Sequence, residues 1–125
     1  MKLQPDRFDV QAISGHGPGW VSVSGEKVLH SVIIGSHGER IDWPPQRFED
    51  LGEEHFQSLA ALGCEVVIFG SGSRIRFPKP VWLRPLVDRG IGLETMDTAA
   101  ACRTYNVLAQ EGRHVVAALL LEQPA

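Results

Sequence analysis

The residues from Gly90 to Ala118, GIGLETMDTAAACRTYNVLAQEGRHVVAA, constrain the fold more than any other part of the chain, because they place strand, helix and strand in immediate succession. Ile91 to Met96 reads as a strand. Asp97 or Thr98 can then accept a hydrogen bond from an orphan backbone N–H at a helix start, and Gly112 supplies the stop. Ala101, Thr104, Leu108 and Glu111 follow one line of that helix, with Ala100, Tyr105 and Val107 alongside, and the small residues at its start let it lie close to a sheet. Val115 to Leu121 is the next strand. Two parallel strands joined through a helix form a βαβ unit, with a right-handed crossover expected.

The chain before this unit divides in two. Phe8, Val10 and Ala12 alternate towards one face, as do Val21 and Val23, and as do Val28, His30, Val32 and Ile34. Turns at Gly15 to Gly19, at Ser24 to Lys27 and at Ser36 to Glu39 separate these runs, which predicts an antiparallel meander ending at Trp43-Pro44-Pro45. From Glu53 the period becomes helical: Phe56, Leu59, Ala60 and Leu62 share a face, Gly63 can close it, and the helix should run about three turns. Val66 to Phe69 is apolar throughout, as in a strand buried on both faces. A helix within residues 81–89 must be short or kinked at Pro85. The expected fold is an α/β single domain, with an N-terminal antiparallel meander and a C-terminal βαβαβ-like mixed sheet.

At 125 residues the chain suits one domain. Its formal charge of −3, without a basic run, lacks the footprint of a nucleic-acid binder. The longest apolar run, Val115 to Leu121, is far too short to span a bilayer, and MKLQPDRFDV carries no export or import signal, so the cytoplasm is the expected compartment. Cys64 and Cys102 suggest neither a zinc knuckle nor a disulfide framework and read as free thiols. The five histidines show no ligand spacing, so no metal and no cofactor is expected.

The residues that could form a crevice gather at two places. Gly70-Ser71-Gly72-Ser73 follows a buried strand, as phosphate-binding turns do, but Ile75 stands where a dinucleotide fingerprint needs glycine and no lysine completes a P-loop. A tight turn at a strand end is the first reading, and a ligand-contacting loop the second. Asp97, Thr98, Cys102 and Arg103 lie at or near one helix start, where a thiol can be activated, although no histidine neighbours Cys102 in sequence to act as base. Ala99, Arg103, Asn106 and Gln110 form a further helical line that could face a protein partner. The crevice to test therefore comprises Gly70, Ser71, Gly72, Asp97, Thr98, Cys102, Arg103 and Asn106. Two functions fit it: a non-catalytic interaction surface, or a small-anion or thiol/acid-base site using the N–H groups of residues 71–73 and 98–100.

The residues Gly70-Ser71-Gly72, Gly90-Ile91-Gly92, Glu94, Met96-Asp97-Thr98, Ala100-Ala101-Cys102, Thr104-Tyr105-Asn106, Leu108 and Glu111-Gly112-Arg113 together resemble a widespread domain-of-unknown-function family. Its members include a mitochondrial protein that helps assemble respiratory complex I and an adipogenesis-associated domain-containing protein. The resemblance covers about residues 5–121. It implies a layered β/β/α fold with a mixed sheet, no established catalysis, no family-wide catalytic residues, and binding to a protein partner such as a component of a respiratory or membrane complex. Ser71, Thr95 and Pro85 depart from the usual pattern, which puts the shape of the crevice edge in question.

Overall fold

The computed structural model describes residues 10–123. Two sheets carry the fold. Strands β1 (Ile13–Gly17), β2 (Trp20–Val23) and β3 (Glu26–Val28) form a small antiparallel sheet in that order. A five-stranded mixed sheet holds β4 (Val32–Gly35), β5 (Arg40–Asp42), β6 (Val66–Gly70), β7 (Gly92–Met96) and β8 (Val115–Leu119), in the order β5-β4-β8-β6-β7. Strands β6, β7 and β8 run parallel, while β4 is antiparallel to both β5 and β8.

The expected βαβ unit is present as β7, the helix α3 (Thr98–Gln110) and β8, but β6 lies between its two strands. The entirely buried VVIFG of β6 thus occupies an interior position, as its unbroken apolar run requires. Alternate residues feed two cores. Ile68, Ala117 and Leu119 face α3 and the small sheet, together with Ile13, Val21, Val23, Tyr105 and Ala109. Val67, Phe69, Val116 and Ala118 face the opposite side, where α1 (Glu53–Ala60) and α2 (Arg84–Asp88) contribute Phe56, Leu59 and Leu86. Trp43 closes this second core, edge-on to Phe56 and Phe69.

Four expectations need correction. The meander is not continuous: the ladder breaks between Val28 and Val32, and Leu29 to Ser31 carry the chain from one sheet to the other, leaving His30 exposed. Val28 and Val32 pack in the same core, so their alternation persists across the break. The strand expected around Val10 and Ala12 begins only at Ile13, and Phe8 lies outside the described residues. Helix α1 is eight residues long, a little over two turns, and Leu62 lies beyond it before Gly63 turns at φ +69°. On α3 the buried line is Thr98, Ala101, Cys102, Tyr105 and Ala109, so Val107 is 57% exposed rather than part of the stripe.

Pro85 does not break a helix, because it sits in the first turn of α2, where its missing N–H is an orphan in any case. A 3-10 turn over Pro80–Leu83 leads into that helix. No helix among the described residues is long and apolar enough to cross a membrane.

Candidate functional site

Gly70 ends β6 directly beside Met96, the last residue of β7, so the Gly70–Ser73 turn and the start of α3 are neighbours. Their junction is tightly bonded. The Ser71 N–H donates to the Met96 carbonyl at 2.9 Å, and the Gly72 N–H donates to Thr98 Oγ1 at 2.9 Å. Thr98 in turn donates its hydroxyl to the Leu120 carbonyl at 2.9 Å and its N–H to the Gly72 carbonyl at 2.8 Å. Asp97 caps the helix as expected, its Oδ1 accepting from the Ala100 N–H at 2.8 Å. Ser71 is fully buried; its Oγ donates to the Arg74 carbonyl at 2.8 Å and accepts from the Arg76 N–H at 2.9 Å.

This bonding bears on the small-anion reading. An anion nest needs free N–H groups, yet those of Ser71, Gly72, Thr98 and Ala100 are all satisfied within the chain. The small-anion reading therefore loses most of its donors. The thiol reading fails on solvation: Cys102 is buried, and burial pushes its thiol up to about 12, against the weaker opposing pull of the neighbouring Arg103 charge. Cys64 is likewise raised, chiefly by burial. Among the described residues, no three His, Cys, Asp or Glu side chains gather where they could hold one metal ion.

A cavity of 380 Å³ opens beyond the carboxyl ends of β6, β7 and β8, where α/β folds commonly place ligands. Gly72, Asp97 and Thr98 of the expected crevice line it, with Ser73 and Ala99 beside them. Leu120 and Leu121 give it an apolar wall, and Asp97 and Glu122 bring carboxylates. The end of β1 and its turn into β2, His16 to Gly19, complete the lining. Sequence reasoning reads that turn only as a reversal, since nothing local shows that the small sheet folds over the end of the large one. Glu122 is equally invisible in sequence. It is held by Arg76 Nη2 at 2.7 Å and by the Phe48 N–H at 2.9 Å. Gly72, at φ +104°, passes so close to this pair that a Cβ would lie 2.7 Å from Glu122 Oε1 and 2.9 Å from Arg76 Nη2.

The remaining expected residues lie elsewhere. Cys102 faces the core, and Arg103 projects from the exposed side of α3. Asn106 is not a free surface group. Its Oδ1 accepts from the Ile13 N–H at 2.9 Å and its Nδ2 donates to the Ile13 carbonyl at 2.8 Å, pinning the start of β1 to the helix. A lone asparagine in a helix carries no sequence signal for this. The exposed face of α3 instead consists of Arg103, Val107 and Gln110, and a shallow groove runs beside Val107, Gln110 and Glu111.

With this geometry in place, comparison with known proteins is decisive for family. The family model described as protein of unknown function (DUF498/DUF598) matches residues 13–120. The chain belongs to the DUF498/DUF598 family. It is 38% identical over 82 residues to the bovine NADH dehydrogenase [ubiquinone] 1 alpha subcomplex assembly factor 3, covering 64% of this chain and 45% of the bovine protein. It is 29% identical to the human protein of the same name over 120 residues, covering 94% of this chain and 65% of the human protein. The chain thus spans less than two thirds of either assembly factor. A solved structure from Bordetella parapertussis superposes with a TM-score of 0.85 at 38% identity, over 90% of this chain and 97% of that one. The layered fold implied by the DUF498/DUF598 resemblance and the observed pair of sheets agree.

Proposed function

We propose that this member of the DUF498/DUF598 family is a non-catalytic assembly factor that binds a component of a respiratory membrane complex. The observation that carries this reading is the alignment of nearly the whole chain with the human complex I assembly factor. The site chemistry is compatible with it: the hydroxyls and N–H groups that could serve catalysis at the Gly70–Thr98 junction are spent on holding strand ends together.

The proposed docking surface begins at the cavity rim, at Ser73, Asp97 and Ala99, and continues along Arg103, Val107 and Gln110 of α3. Arg103 is exposed, and Val107 offers an apolar contact beside it. Arginine is among the residues enriched at the anchoring positions of protein interfaces, and Val107 would add apolar contact at its side. Affinity capture of the tagged protein from its own organism tests the reading. Stoichiometric recovery of subunits of a multisubunit respiratory complex is expected. Recovery of the bare protein at its natural abundance would contradict the proposal.

A further inference from the structure

The small net charge of the chain conceals a local asymmetry. Residues 74–89, RIRFPKPVWLRPLVDR, hold five cations and one carboxylate, whereas the chain as a whole is at −3 and the remainder is therefore at −7. The same segment concentrates apolar exposure. Among the described residues seven large hydrophobic side chains are exposed, and four of them, Ile75, Phe77, Val81 and Val87, lie here, Phe77 at 69%.

The backbone dictates this outward display. Arg76 turns inward, where its Nη2 donates to Glu122 Oε1 at 2.7 Å and to the Ser71 carbonyl at 2.9 Å, and its guanidinium lies over the Phe48 ring. Residues 75–79 form no strand or helix, and Pro78 and Pro80 favour an extended path. With Arg76 anchored, its neighbours Ile75 and Phe77 are left facing solvent. Arg74, Lys79 and Arg84 flank them, are exposed, and form no ion pair with any described residue.

We infer that the segment from Arg74 to Arg84 is a peripheral membrane-binding surface, with Phe77, Ile75 and Val81 inserting among lipid chains and Arg74, Lys79 and Arg84 meeting anionic phospholipid headgroups. Exposed apolar side chains interspersed with cations along one short segment are matched by a planar anionic interface, which requires no complementary contour. Exposed cations near such a surface each add attraction, and Arg76, already paired with Glu122 and 4.0 Å from Glu49, is left out of that set. Arg and Lys can keep their charges at headgroup level while their stems lie along the apolar region.

Flotation with vesicles tests the inference. The full chain should float with vesicles containing phosphatidylglycerol, remain unbound with pure phosphatidylcholine, and dissociate as salt rises. Charge reversal by Arg74→Glu with Lys79→Glu should weaken partitioning by at least roughly thirtyfold, from the attraction lost per cation. Phe77→Asp should also abolish flotation, with thermal unfolding little changed in both variants because these side chains are exposed and the Lys79 side chain only rests over the Trp82 ring, 5.7 Å from its centroid. Failure of the unaltered protein to float with phosphatidylglycerol vesicles overturns the inference, even if the segment captures an acidic protein. Binding that survives both sets of substitutions overturns it equally.

Discussion

Thr98 and Gly72 clasp each other through two hydrogen bonds, the Gly72 N–H donating to Thr98 Oγ1 at 2.9 Å and the Thr98 N–H donating to the Gly72 carbonyl at 2.8 Å. With the Thr98 hydroxyl also donated to Leu120, one side chain joins the ends of β6 and β8 to the start of α3. The cavity beyond these strands is shaped by this clasp.

Replacing Thr98 by valine keeps the shape but strands the Gly72 N–H and the Leu120 carbonyl in a buried setting. Each unsatisfied group costs about 1–3 kcal/mol, so Thr98→Val should lower stability by roughly 2–6 kcal/mol in urea unfolding. Thr98→Ser, which keeps the hydroxyl, should lose far less. Equal losses in the two variants would show that packing, not bonding, holds the junction.

Helix α3 approaches β6 so closely that a Cβ on Gly70 would lie 3.1 Å from both the Thr98 Cα and the Ala101 Cβ, and 3.0 Å from Leu119 Cδ2. Gly70→Ala should therefore overpack the interface and destabilise by about 1–3 kcal/mol. Combining it with Ala101→Gly removes one of the three contacts, so the interface part of the loss should be partly recovered in a double-mutant cycle. Strict additivity would place the strain elsewhere.

Cys102, with its thiol near 12, should expose roughly one part in 10⁵ as thiolate at pH 7. Iodoacetamide should leave Cys102 unmodified in the native protein and modify it rapidly in urea, as read by peptide mass. Native alkylation at the rate of a free thiol would contradict the buried placement.

Glu39 provides a handle on acid stability. Its carboxylate is half-buried, 2.7 Å from His114 Nε2, and the ring of His114 stacks on that of His37 at 3.6 Å. Burial raises the Glu39 pKa, but the hydrogen bond and charge of His114 and backbone bonding, including the His37 N–H, reverse this and leave it lowered. A carboxylate with a lowered folded pKa contributes stability above its unfolded value and loses it as pH falls through the folded one. Glu39→Gln should accordingly flatten the fall in stability on acidification below the ordinary glutamate range, measured by urea midpoints. An unchanged acid limb would remove Glu39 from the account.

The sequence was most legible where one local rule governed. The Asp97 cap, the buried run of β6 and the strand-helix-strand unit ending at β8 each follow from adjacent residues. It was least legible where distant segments meet. Nothing near Asn106 announces its two bonds to Ile13, and nothing near Glu122 announces Arg76. Val107 misled because a helical line one position away from the true one also contains apolar residues. Of the eight residues of the expected crevice, Gly72, Asp97 and Thr98 meet at the cavity, while Cys102 belongs to the core and Asn106 to the β1 contact.

The most direct test of the assembly reading is affinity capture with the unaltered protein and with Arg103→Glu/Val107→Asp, both sites being exposed and tolerant of change. Quantitative mass spectrometry should recover subunits of a respiratory complex in stoichiometric amounts with the unaltered protein, and lose at least roughly tenfold with the variant, as when interface anchors are removed. Bare protein in both captures, or equal recovery of the complex in both, would contradict the proposed partner or the proposed surface respectively.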